Sequence, residues 1–162
     1  MLLIMKILEQ FKVPFSLLHD SDRLFRSDGR ANGAWTANLQ LYEMVRNIRA
    51  GGTRVVHRIS IPSFEYAHLQ YRPVASGLLV EFPEKEKPWG MVNAIREDPE
   101  VRQSVRSILR DLVDPAAQEW PHQGDFEEYL EGAVSQWARE NCPKDPKFFP
   151  QSRKGETELV GV

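Results

Sequence analysis

The pattern of apolar and polar positions predicts a chain in which helices alternate with short strands. Residues 2–9 show helical spacing, and the side predicted to be buried carries Leu3, Ile4, Ile7 and Leu8. The apolar run Val13–Leu18 predicts a buried strand, because it is short and ends in a polar segment. One apolar stripe predicts a helix over residues 34–49, and β-branched residues predict a second strand within 53–61. This order is typical of an α/β sheet with parallel strands.

The second half of the sequence is predominantly helical in its pattern. A short helix is expected over residues 63–68, and longer helices are expected over 88–97, 99–113 and 126–139. Asp98 and Asp125 are placed to cap two of these helices. The predicted organisation is an α/β region over residues 1–97, a helical extension over 98–141 and a loose tail over 142–162.

Composition narrows the class of protein. Hydrophobic residues make up 41% and charged residues 27% of the 162 residues, which predicts a soluble globular domain with a real core. The net charge of −2 gives no global basic excess, so nucleic-acid binding must depend on local patches. The single cysteine, Cys142, excludes an internal disulfide and suits a reducing compartment. The apolar N-terminus is too short to span a bilayer, so we expect a cytoplasmic protein without a membrane partner.

Two aspartates follow the first predicted strand, in the sequence Asp20-Ser21-Asp22. Ligands bind at the carboxyl ends of strands in open parallel sheets. Side chains alternate faces along a strand, so residues 20 and 22 are predicted to point to the same face. Two carboxylates on one face suit a hard cation such as Mg²⁺. The alternative is ordinary loop chemistry, since Asp and Ser also form turns and helix caps.

The residues after this pair carry a resemblance to a known family. The segment Asn32-Gly33-Ala34-Trp35-Thr36-Ala37-Asn38, after a strand that ends in Asp-x-Asp, resembles the second acidic motif of the TOPRIM domain in OLD-family (overcoming lysogenisation defect) nucleases. That family includes the nuclease subunit of Gabija-type phage defence. The resemblance covers roughly residues 13–95. It implies a partial TOPRIM-like, Rossmann-like parallel sheet flanked by helices, and a DNA endonuclease or nickase that depends on Mg²⁺ or Mn²⁺.

The resemblance also implies roles for individual residues. Asp20 and Asp22 would be catalytic metal ligands. The segment that begins Glu86-Lys87-Pro88 resembles a Lys-Pro motif downstream in the family, so Lys87 would stabilise the charged transition state. Lys85 remains an alternative, and both lysines are otherwise explained as solvated charges. Glu65 follows the second strand and would complete or orient the metal site; its alternative role is a first-turn glutamate of a helix.

Three arginines lie in the loop after the acidic pair: Arg23, Arg26 and Arg30. They are candidates for contact with DNA phosphates. They would equally serve to neutralise the acidic pair when no metal is bound. His19 faces away from Asp20 by strand alternation and is not assigned to the metal site, and Trp35 is expected in the core.

The sequence departs from the family pattern in two respects. Residues 1–12 leave room for a helix but not for the strand and glutamate that open a TOPRIM domain, and no Walker A motif of an ATPase is present. We therefore expect the C-terminal portion of an OLD-like protein, whose partner is an ATPase domain or a second chain that supplies the missing acidic motif. A homodimer is a further possible assembly. The alternative functions are a non-catalytic partner or assembly module and a phosphotransferase or phosphatase.

Overall fold

A computed structural model describes residues 1–69, 74–80, 87–114 and 126–149. These residues form two strands and six helices. The elements in chain order are α1 (Leu2–Gln10), β1 (Phe15–Asp20), α2 (Gly33–Ala50), β2 (Val55–Ser60), α3 (Phe64–His68), α4 (Lys87–Glu97), α5 (Pro99–Val113) and α6 (Phe126–Asn141).

The two strands pair in parallel along their whole length. The register runs from Phe15 opposite Val55 to Asp20 opposite Ser60, so both strands end together at one carboxyl edge. This confirms the predicted α/β class with parallel strands. The first strand begins at Phe15, two residues after the start of the predicted apolar run, and it ends at Asp20, so Asp20 lies at the carboxyl end of the strand as predicted.

Helices cover both faces of this small sheet. On one face Leu17 and Val55 join Met5 of α1 and Val45 of α2 in a buried cluster. On the other face the Ser16 hydroxyl donates to the carbonyl oxygen of Leu112 in α5. The sheet is therefore the middle layer of an α/β/α arrangement, as expected for parallel strands.

The first helix buries a different side from the one predicted. Met5 is buried, whereas Leu3 and Ile4 are 71% and 62% exposed, and Ile7 is also exposed. The prediction was wrong because apolar residues occur around most of α1, so that helical spacing does not identify which stripe contacts the sheet. A strongly apolar side of α1 thus faces away from the described core.

Residues 142–149, expected as part of a loose tail, are packed instead. Cys142 and Phe148 are both 0% exposed and share a core cluster with Tyr66 and Val134. The carboxylate of Asp145 accepts the backbone N–H of Leu79 at 3.1 Å. These contacts hold the segment in place. The sequence pattern did not predict the packing, because the apolar residues of this segment have no regular spacing. Burial raises the pKa of the Cys142 thiol to about 12, so this group stays neutral. Residues 150–162 lie outside the described part of the chain.

Side-chain capping sets the starts of α2 and α5. The Asp98 carboxylate accepts the N–H of Glu100 at 2.8 Å and caps α5, as predicted. The Asn32 side chain caps α2 in the same way. The predicted cap Asp125 lies outside the described residues. None of the described helices has the length and apolar character needed to cross a membrane.

Candidate functional site

Asp20 lies at the carboxyl edge of the sheet. It is the last residue of β1, directly opposite Ser60. Its Oδ1 atom accepts the backbone N–H of Phe64 at 2.8 Å. Phe64 opens α3 immediately after β2, so this bond joins the ends of both strands. This hydrogen bond orients the side chain of Asp20.

Asp22 lies just beyond the strand in a left-handed backbone conformation, with a φ of 62°. The backbone N–H of Ser21 donates to the Ser60 carbonyl at 2.9 Å, and that of Asp22 donates to the Pro62 carbonyl at 2.9 Å. The prediction that strand alternation extends to Asp22 is therefore wrong, because regular β geometry ends at Asp20. Asp is among the few residue types that tolerate positive φ. Asp22 is exposed to solvent.

Two asparagines fix the backbone on either side of Asp22. The Nδ2 amide of Asn38 donates to the carbonyl of Ser21 at 2.7 Å, and both residues are buried, at 3% and 0% exposure. The Nδ2 amide of Asn32 donates to the carbonyl of Arg23 at 2.9 Å. Both asparagines belong to the segment on which the family resemblance was based. The sequence marked them, but their role as supports for the Asp22 turn required the structure.

Glu65 is half-buried in the first turn of α3, and its Oε2 atom accepts the Ser63 hydroxyl at 2.7 Å. Within the described ranges, no three His, Cys, Asp or Glu side chains gather in an arrangement able to hold a metal ion. The structure therefore does not bring Glu65 together with Asp20 and Asp22 as a third ligand. It does place Glu65 one residue after the amide that holds Asp20.

The predicted catalytic lysine, Lys87, is the first residue of α4. Its side chain and the alternative Lys85 lie outside the described part of the structure. The body of α4 is nonetheless connected to the site, because Phe64 packs against a cluster that includes Met91 of α4 and Val101 of α5. The residue whose amide holds Asp20 thus also contacts the helix that begins at Lys87.

The three candidate DNA-binding arginines lie on or beside a short hairpin after Asp22. The N–H of Arg26 donates to the carbonyl of Arg30 at 2.8 Å, which closes the turn. The guanidinium of Arg26 pairs with Asp28 at 3.6 Å, and both side chains are largely exposed. Arg30 is exposed and Arg23 is half-buried. The structure thus gives Arg26 a local acidic partner within its own hairpin.

A pair of histidines next to the acidic residues was not found from the sequence. The Nε2 atoms of His19 and His57 lie 2.9 Å apart, and the two rings are stacked with centroids 5.1 Å apart. Burial lowers the pKa of His19, while its hydrogen bond with the Asp20 carbonyl and the charge of Asp22 act in the opposite direction. One Nε2 atom must donate and the other accept, so the ring that accepts must be neutral. Only the strand register brings these two residues together.

Asp20 and Asp22 offer the hard oxygen ligands that Mg²⁺ and Mn²⁺ take in proteins. Mg²⁺ is commonly held by one or two carboxylates together with waters and substrate phosphates. The carboxylate ligands of the two aspartates therefore suit such an ion by their chemistry, and they do not suit softer metals that prefer thiolate ligands. No protein-family model, curated protein or solved structure matched the chain.

Proposed function

We propose that the protein is a DNA endonuclease or nickase of the TOPRIM type, dependent on Mg²⁺ or Mn²⁺, with Asp20 and Asp22 as metal-holding catalytic residues. The observation that carries the proposal is the construction of the carboxyl edge. Asp20 is oriented by the Phe64 amide, and the turn that carries Asp22 is fixed by Asn32 and Asn38. Such buried polar support is typical of sites whose charged groups must be held in place before the ligand arrives.

The chemistry assigns a task to each group. A bound Mg²⁺ would polarise the phosphoryl oxygen of a DNA backbone. Asp20 and Asp22 bind the ion and balance its charge. Lys87 supplies positive charge to the nonbridging oxygens as the phosphodiester is attacked, and Glu65 supports the site from α3. Arg23, Arg26 and Arg30 contact neighbouring phosphates of the same DNA.

The open edge of β1 supports the proposal of a partner. Within the described residues β1 pairs only with β2. The register directs the backbone groups of Phe15, Leu17 and His19 to β2, and those of Ser16 and Leu18 to the other side. Unpaired strand edges recruit further strands. The proposed partner, an ATPase domain or a second chain, adds a strand here and brings the acidic residue that two-metal cleavage requires.

Nicking of supercoiled plasmid with Mg²⁺ or Mn²⁺ tests the proposal. Asp20→Asn keeps an oxygen that accepts from Phe64, and Asp22→Asn keeps a residue that tolerates positive φ. Both changes remove only the charge, and we expect each to lower nicking at least about a hundredfold. Glu43→Gln is the matched control, since Glu43 is an exposed carboxylate on α2. Equal nicking by the wild type and both Asn variants would rule out the catalytic assignment.

A non-catalytic assembly module is the second candidate function. The exposed apolar side of α1, with Leu3, Ile4 and Ile7, favours it, because such surfaces commonly mark interfaces. Light scattering tests this candidate. A dimer or larger assembly that Ile4→Glu dissociates, in a protein without metal-dependent nicking, supports the assembly module. A monomer that nicks DNA excludes it.

A further inference from the structure

Helix α5 presents an arginine face opposite its buried side. Val101 and Val105 are buried against the core. At the helical repeat, Gln103, Arg106 and Arg110 lie on the opposite side, and all three are exposed. Neither arginine side chain makes an ion pair or hydrogen bond within the part of the chain that the structure describes.

The neighbouring arginines differ, because each is engaged in holding the fold. Arg58 pairs with Asp111 at 3.6 Å. The Nε atom of Arg102 donates to the carbonyl of Ile95 at 2.9 Å and so ties α5 to the end of α4. Like charges four residues apart on a helix repel each other and weaken it. Arg106 and Arg110 repel each other on this face, and within the described residues neither side chain is engaged in a contact that ties it to the fold.

Helix α5 is also fixed relative to the acidic edge. The Nδ1 atom of His68, at the end of α3, lies 2.8 Å from the Ser104 hydroxyl of α5. Phe64, at the start of α3, packs with Val101 and Val105 and holds Asp20 through its amide. The arginine face thus belongs to a helix that is anchored to the element holding the first aspartate.

We infer that Arg106 and Arg110 bind phosphates of duplex DNA at a distance from the cleaved bond. This inference rests on the proposed nuclease function and adds a binding surface to it. Arginine is suited to phosphate because its planar guanidinium donates two parallel hydrogen bonds. The two residues are separated by about 6 Å along the helix axis. Phosphates of one strand follow every ~3.4 Å along the duplex, so both arginines reach the same backbone segment.

The competing occupant is a protein with an acidic surface. Leu109 and Val113 are exposed on one shoulder of the same helix, and apolar residues beside arginine are common at protein interfaces. At about 100° per residue Arg110 lies almost opposite the buried side of α5, and Arg106 lies between Arg110 and the exposed Val113. The outermost face is therefore cationic, and this arrangement favours DNA phosphates.

Fluorescence anisotropy with a short labelled duplex, in EDTA and over a salt series, tests the inference. We expect Arg106→Gln with Arg110→Gln to weaken binding about tenfold or more at low salt. The slope of log K against log salt should fall by about 1.8, since each phosphate contact contributes about 0.9. Lys6→Gln with Arg46→Gln is the control, because it removes the same charge from exposed positions on α1 and α2.

Unchanged binding and slope in the Arg106 and Arg110 double variant overturn the inference, as does an equal loss in the control pair. Binding in EDTA does not depend on the metal site, so the two claims separate. Nicking that requires Asp22, with duplex binding that ignores the two arginines, removes the inference and leaves the proposed function. Duplex binding that requires Arg106 and Arg110, without metal-dependent nicking, supports the inference and removes the proposed function. Circular dichroism confirms that each variant is folded.

Discussion

The two edges of the small sheet are built from the same strands but by different means. At the carboxyl edge, the buried Asn38 side chain holds the backbone of the buried Ser21, which lies between the exposed Asp20 and Asp22. At the amino edge, long cationic side chains cap exposed carbonyls: Lys12 donates to Gly51 at 3.1 Å and Arg54 donates to Asp114 at 2.6 Å.

The two edges differ in how much the fold loses when one of these hydrogen bonds is removed. A buried carbonyl that loses its donor keeps a desolvation penalty, whereas an exposed carbonyl recovers its bond from water. The carboxyl edge therefore depends on each of its polar contacts, and the amino edge does not. We expect substitutions at the carboxyl edge to have larger effects on both stability and activity.

The largest contrast is expected between two phenylalanines. Phe148 is fully buried in the cluster that contains Leu24 and Tyr66, which flank the acidic site along the chain. Phe148→Ala should lower the free energy of unfolding by about 3–5 kcal/mol. Phe11→Ala, at the exposed amino edge, should change it by less than about 0.5 kcal/mol. Urea denaturation measures both values, and similar losses in the two variants would contradict the contrast.

The next contrast concerns the polar contacts. Asn38→Ala leaves the buried carbonyl of Ser21 without its amide donor and should cost about 1–3 kcal/mol. Lys12→Gln, which removes the exposed bond to Gly51, should cost less than about 0.5 kcal/mol. Chemical denaturation of the two variants gives the comparison. We also expect Asn38→Ala to lower nicking, since the Asp22 turn loses one of the two asparagine side chains that hold it. Nicking equal to wild type would contradict this role.

The histidine pair predicts a pH dependence at the carboxyl edge. Burial lowers the pKa of His19 below its ordinary value of 6.5, so the unfolded chain binds more protons than the folded one below that pH. The free energy of unfolding should therefore be highest above pH 6.5. It should fall as the pH drops from 6.5 through the lower pKa that His19 has in the folded protein. His19→Gln should flatten this part of the stability curve, measured by urea titrations at several pH values. An unaltered stability curve in His19→Gln would contradict the lowered pKa of His19 in the folded protein.

The smallest effect is expected at the amino edge. The hydroxyl of Thr53 is buried without a hydrogen-bond partner among the described residues. Thr53→Val keeps the shape and removes the unsatisfied group, so it should leave stability unchanged or raise it by about 1 kcal/mol. A shift of the denaturation midpoint to higher urea agrees with this expectation, whereas a loss of more than about 1 kcal/mol would show that the hydroxyl has a partner.

The sequence predicted the elements well where a repeated pattern exists. The apolar stripe of α2, the parallel strands and the Asp98 cap all follow from local spacing and capping chemistry. The pattern did not predict the packing of Cys142 and Phe148, because a single buried aromatic in an irregular segment has no period.

The site was partly predictable for a related reason. Asp20 and Asp22 were recognised because they end an apolar run, but the direction of Asp22 was not, since a left-handed turn interrupts strand alternation. The contact between His19 and His57 depends on the strand register, which residues 38 positions apart do not reveal locally. The roles of Lys87 and Glu65 remain predictions from the family resemblance. Contact of the loop arginines with DNA remains a prediction from their position beside the acidic pair.

The central claim is that the carboxyl edge binds a hard divalent ion through Asp20 and Asp22. Electron paramagnetic resonance of a Mn²⁺ titration tests it directly, because bound and free Mn²⁺ give different signals. The account predicts Mn²⁺ binding by the wild type and the Glu43→Gln control, and its loss in Asp22→Asn. Identical Mn²⁺ binding by all three proteins, or none by the wild type, would contradict it.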